Sequence, residues 1–133
     1  MNDRNKEPRS DYWLSLARQD LMGAHSLLAD VSLEPRLSVG LAAHAAEKAL
    51  KAALAATGVE PPRTHDLVAL AHRSRGVVRL TAREIDLRRL SDSHQDARYP
   101  DHGEAYDHRE EATELLRVAD LVVTDVTIAL GAT

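Results

Sequence analysis

The chain has 133 residues, a formal net charge of −4, 44% hydrophobic and 29% charged residues and no cysteine. That length gives room for one core rather than two, and the balance of apolar and charged residues is that of a folding chain rather than a disordered one. Without cysteine there are no disulfides, thiolate metal sites or cysteine nucleophiles, and the cytoplasm is the expected compartment.

Residues 1–9 are polar, lack the pattern of a signal peptide and read as a loosely held segment ahead of one domain over residues 10–133. Every later segment longer than a turn has helical period, which predicts an all-α fold: an up-and-down bundle of four long helices plus one short helix. In the first helix Trp13, Leu14, Ala17, Leu21, Ala24 and Leu28 form one stripe, with Ser10 expected to cap it. Pro35 suits the opening turn of the second, which carries Leu41, Ala45, Ala46, Ala49, Leu50 and Leu54 before Gly58 offers a left-handed stop. Pro61 and Pro62 interrupt the helical pattern, and Thr64 is the expected cap of a short third helix ending near Gly76. Thr81 and Glu84 have capping-box spacing for a fourth helix that Pro100 ends. Asp101 and Glu104 repeat that signal for a last helix whose seam runs through Ala112, Leu115, Leu116, Ala119, Val122, Val123, Val126 and Leu130, longer than its neighbours. The apolar run at its end, Leu121 to Leu130, is too short for a bilayer span and contains Asp125.

Charge is unevenly spread. Residues 63–98 hold eight basic and five acidic groups, whereas residues 99–133 hold two and eight. All eight basic residues of the middle stretch are arginines, whose planar fork suits phosphate, although solvated helix faces give the same count. Aromatic residues are too few for a single-strand stacking platform. On the second helix His44, Glu47, Lys48 and Lys51 share a face, and Glu47 with Lys51 reads first as an ordinary solvated i, i+4 pair. His65 and Asp66 read first as helix-opening residues. Seven histidines invite a metal, but Glu104 and His108 find no third convergent ligand; no metal or cofactor is expected.

The densest polar cluster runs from Ser93 to Glu104. Free amides at residues 102–104 and the Arg98 guanidinium would together make an anion site at a helix start. His102 there would lean neutral and serve as proton acceptor, so that Arg98 and His102 form a candidate pair for metal-independent phosphodiester cleavage. Asp101 and Glu104 compete for the same amides.

Four segments carry a family resemblance: Trp13 with Ala17 to Leu21, then Ala46-Glu47-Lys48-Ala49-Leu50-Lys51-Ala52, then Pro62-Arg63-Thr64-His65-Asp66-Leu67, and finally Ala97-Arg98-Tyr99-Pro100-Asp101. In that order the chain resembles a HEPN domain, a nucleotide-binding helical module of higher eukaryotes and prokaryotes. The resemblance implies a homodimer that binds a nucleotide or RNA phosphate and acts with a minimal nucleotidyltransferase partner in a toxin–antitoxin-like system. Taken together, the helix-start cluster and the resemblance segments make Arg98, Tyr99, His102, Gly103, Glu47, Lys48, Lys51 and His65 the expected anion- or nucleotide-binding set. The ribonuclease-toxin branch has an arginine followed after four to six residues by histidine. Here His102 stands one position early relative to Arg98, and a one-residue slip turns a helical side chain by roughly 100°. Three functions follow for test: a binding module, an endoribonuclease using Arg98 and His102, and a structural helical interaction protein.

Overall fold

A computed structural model describes residues 9–97 and 109–132, the side chains of residues 94–97 excepted. Five helices follow in order: α1 Ser10–Ala29, α2 Pro35–Ala55, α3 Leu67–Arg73, α4 Glu84–Ala97 and α5 Arg109–Ala129, with no strand among the described residues. The all-α bundle of four long helices and one short helix is the observed fold. The expected loosely held segment, apart from Arg9, falls outside the described residues. So do the stop at Pro100 and the helix start at Asp101. Over its described extent α5 has 21 residues, as many as α2 and more than α1 or α4.

Pairings across the bundle fix the helix directions. Trp13 meets Lys51, Asp20 meets Lys48, and the Ser38 hydroxyl donates to the Ala24 carbonyl at 2.8 Å, so rising numbers on α1 oppose falling numbers on α2. Likewise Arg89 reaches Glu114, while Thr81, just before α4, meets Asp125, so α4 and α5 are antiparallel.

Helix α2 is the centre of the molecule. Fourteen of its residues are buried, eight of them alanines, because α1, α4 and α5 pack on different sides of it. A helix surrounded in this way cannot keep one polar face. Small side chains let the helices approach closely: a β-carbon added at Gly23 of α1 would lie 2.9 Å from Leu41 Cδ1. The rest of the core comes from Leu14, Ala17 and Ala24 of α1, Leu67 and Leu70 of α3, Leu87 and Leu90 of α4, and the predicted α5 seam. Leu130 is only half buried at the end of that seam.

The expected caps differ from the observed ones. Ser10 is the first residue of α1, and Arg9 at the cap position makes no side-chain bond. Asp66, rather than Thr64, caps α3: its Oδ1 accepts the amides of Val68 and Ala69 at 3.0 and 3.2 Å, and the Thr64 hydroxyl accepts the Asp66 amide. Thr81 does not close a capping box. Its amide and hydroxyl both donate to Asp125 Oδ2 of α5 at 2.8 Å, and Glu84 instead bonds His72. For Thr81 and Glu84 a tertiary partner takes a group that local spacing assigned to a helix end, whereas for Thr64 the competitor is its near neighbour Asp66. Gly58 stops α2 with φ +83°, as its position predicts.

Candidate functional site

After Gly58 the segment containing Pro61 and Pro62 is not helical, and it brings His65 beside Glu47 of α2. His65 Nδ1 lies 2.8 Å from Glu47 Oε1, and Lys51 Nζ donates to Glu47 Oε2 at 3.0 Å. Glu47 and Lys51 are only 8% and 7% exposed, so the solvated face expected here is instead an interior ion pair. The Lys51 ammonium also lies 5.7 Å from the centre of the Trp13 ring, within reach of its electron-rich face. Burial pushes the Glu47 carboxyl upward, but the hydrogen bonds and charges of His65 and Lys51 outweigh it and hold the group below its ordinary value. Glu47 is therefore a carboxylate at neutral pH.

That ionisation settles the tautomer of His65. A carboxylate has no proton to give, so Nδ1 must be the donor. Nε2 is then the ring's remaining hydrogen-bonding atom. The side chain is 63% exposed and lines a cleft of about 440 Å³ together with Arg63, Asp66, Arg88, Ser91 and Asp92. Ser91 of α4 joins the two walls by long hydrogen bonds to the His65 carbonyl and the Leu67 amide. Asp66 is committed to the α3 amides. Among the described residues Arg63 and Arg88 have no ion pair, whereas Arg83 and Arg89 are tied to Asp86. Two guanidinium groups with no ion pair among the described residues, Arg88 feeling only the longer-range charge of Glu84, and an oriented imidazole around a polar cleft can accept an oxyanion, and the cleft volume is toward the small end of ligand sites.

Of the sequence-derived site residues, the fold unites Glu47, Lys51 and His65. Lys48 points elsewhere: its ammonium donates to Asp20 Oδ2 of α1 at 2.7 Å. Arg98, Tyr99, His102 and Gly103 lie outside the described residues, as does the anion site expected at residues 102–104. Sequence reasoning did not select Arg63, Arg88, Ser91 or Asp92 for the site. Their available signals were Arg63 two positions before His65, and Arg88, Ser91 and Asp92 at helical offsets on one face of α4. Among the described residues no group of three histidine or acidic side chains could hold a metal ion, and no helix is long and apolar enough to cross a membrane.

The HEPN domain family model matches residues 10–129, which include every described element and the entire cleft. The chain belongs to the HEPN family. No curated protein and no solved structure matches it. Membership in the HEPN family supports a nucleotide- or RNA-related module. In this HEPN chain the resemblance segments in α1, α2 and the loop before α3 meet through Trp13, Lys51, Glu47 and His65.

Proposed function

We propose that this HEPN protein binds a nucleotide or RNA phosphate in the cleft over His65, as a cytoplasmic homodimer that acts with a minimal nucleotidyltransferase partner in a toxin–antitoxin-like system. The observation that carries the binding reading is that Arg63 and Arg88, neither of them in an ion pair among the described residues, line one cleft with a carboxylate-oriented histidine. Arg98, Tyr99, His102 and Gly103 belong to the proposed site by sequence, since Arg98 follows Ser91 of the cleft by seven positions. The partner, the homodimer and the compartment rest on the family resemblance and composition alone.

The test is titration of the purified full chain with a labelled oligoribonucleotide in chelator, following both binding and cleavage. Binding without cleavage is expected. Arg63→Ala and Arg88→Ala should each weaken affinity across sequences and reduce the slope of log affinity against log salt by about 1. Affinity and slope unchanged in both variants would refute the site. Cleavage abolished by both Arg98→Ala and His102→Ala would replace this reading with a metal-independent endoribonuclease, in which His102 takes the ribose 2′-hydroxyl proton and Arg98 stabilises the phosphorane oxygens. Co-purification with the product of an adjacent minimal nucleotidyltransferase gene tests the paired system.

A further inference from the structure

A second cleft adjoins the first at Val68, which lines both. It encloses about 340 Å³ between α3, the connecting segment after it and the first turn of α4, at the opposite end of α4 from residues 94–97. The walls of the first cleft are mostly polar. This one has an apolar floor of Val68, Ala71, Val78, Leu80, Ala82 and Leu87.

The walls are held in place by the fold itself. The Ser74 hydroxyl donates to the Leu70 carbonyl at 2.7 Å, and the Ser74 carbonyl accepts the amides of Val77 and Val78 at 2.9 and 3.0 Å. Thr81 is tied to Asp125 of α5, and the pairing of His72 with Glu84 joins α3 to the start of α4. A largely preformed apolar cavity with a few polar groups at its edge is the usual plan of a small-molecule site.

Arg75 and Arg79 line the same cleft, are exposed and have no ion pair among the described residues. Glu84 is taken by His72 and feels the charge of Arg75 only at longer range. An apolar floor beside two guanidinium groups in this condition matches a molecule with a hydrocarbon body and an anionic head. A sugar would instead leave hydroxyl groups against that floor without partners. None of the large exposed apolar side chains, Met22, Val31 and Ile128 among them, lines the cleft. Apolar surface therefore ends at its rim, which suits a small ligand rather than a long apolar segment of a protein.

We propose that this second cleft binds a small amphipathic anion, an aliphatic chain ended by a carboxylate or a phosphate, with the chain on the floor of Val78 and Leu87 and the head held by Arg75 and Arg79. The site is separate from the cleft over His65 and does not depend on the function proposed there.

The experiment is titration of the isotope-labelled full chain with octanoate, followed by NMR of the methyl groups. The resonances of Val78, Leu80 and Leu87 should move together, and affinity should rise by about threefold for each methylene added between butanoate and octanoate. Acetate should not bind. Arg75→Gln combined with Arg79→Gln should weaken octanoate by about tenfold and leave octanol unchanged; both side chains are exposed, so the variant should fold. Ala82 is half buried ahead of α4, and Ala82→Leu should fill the cleft and abolish octanoate binding while the protein keeps its native spectrum. Octyl phosphate is the second head, and whichever of the two anions binds more tightly identifies the ligand class. Methyl shifts centred on Met22 or Ile128, an affinity independent of chain length, or equal octanoate affinity in the double arginine variant would overturn the assignment. So would a capped leucyl-aspartyl-leucine peptide that binds more tightly than octanoate, since the occupant would then be a protein partner.

Discussion

Lys51→Met removes the buried ammonium while keeping an apolar stem against Trp13. In the native chain Lys51 Nζ is 3.0 Å from Glu47 Oε2, and both residues are almost entirely out of solvent. Removing one member of a buried ion pair ordinarily costs 3–5 kcal/mol, because the other charge is left desolvated, so about 3–5 kcal/mol is the upper range here. His65 continues to hold Glu47 from the exposed side, which lowers the expected loss to about 2–3 kcal/mol at pH 7. For a domain of this size that corresponds to a fall in Tm of roughly 10 °C. Urea unfolding followed by the fluorescence of Trp13, the single tryptophan, measures it directly.

The sign of the pH dependence follows from the same contacts. Glu47 is held below its ordinary value in the folded state, so the stability it contributes is present above the unfolded carboxylate pKa of about 4.3 and is lost as pH falls through the depressed folded value. Lys51→Met removes two of the causes that lower Glu47 and leaves burial in place, so the carboxyl moves upward. The gap between native and variant should therefore be widest near neutrality and narrow as acid protonates Glu47 in both. Glu47→Leu combined with Lys51→Met removes both charges and should recover most of the lost stability. A loss below about 0.5 kcal/mol at pH 7, or a gap unchanged down to about pH 3, would refute the claim that this pair is desolvated and coupled.

Asp66→Ala should act in two directions at once. Losing the α3 cap should cost about 1 kcal/mol in denaturant melts, while removing a negative charge from the cleft should raise its sulfate affinity near pH 8. Unchanged or weaker sulfate binding would contradict the reading of the cleft as an anion site. Gly23→Ile should destabilise the chain by about 1–3 kcal/mol, because the added side chain enters the close approach of α1 to Leu41, and thermal melts with wild-type Tm would refute that packing.

Helical period and binary pattern were enough to identify the four long apolar seams, since an amphipathic helix writes its buried face into local spacing. The stop at Gly58 was equally local: after α2 the backbone enters a left-handed conformation that glycine adopts without strain. Caps were less legible. Thr64 and Thr81 have suitable side chains and spacing, but Asp66 competes for the α3 amides and Asp125, 44 positions beyond Thr81, takes that hydroxyl. Nothing within a few residues of Thr81 encodes such a partner.

The site divides in the same way. Sequence singled out Glu47, Lys51 and His65 by their place in resemblance segments, yet the spacing of Glu47 and Lys51 is what a solvated helix pair also shows. Only the packing of α1, α4 and α5 around α2 places that pair in the interior, with His65 beside one carboxylate oxygen. The sequence by itself determined an all-helical HEPN chain, because periodicity and ordered short segments are properties of neighbours along the chain. The tertiary structure decided which charges lose their water and which residues share a wall: Arg63 and Arg88 are 25 positions apart and face one cleft. Desolvation and convergence depend on distance in space, and one-dimensional spacing does not contain it.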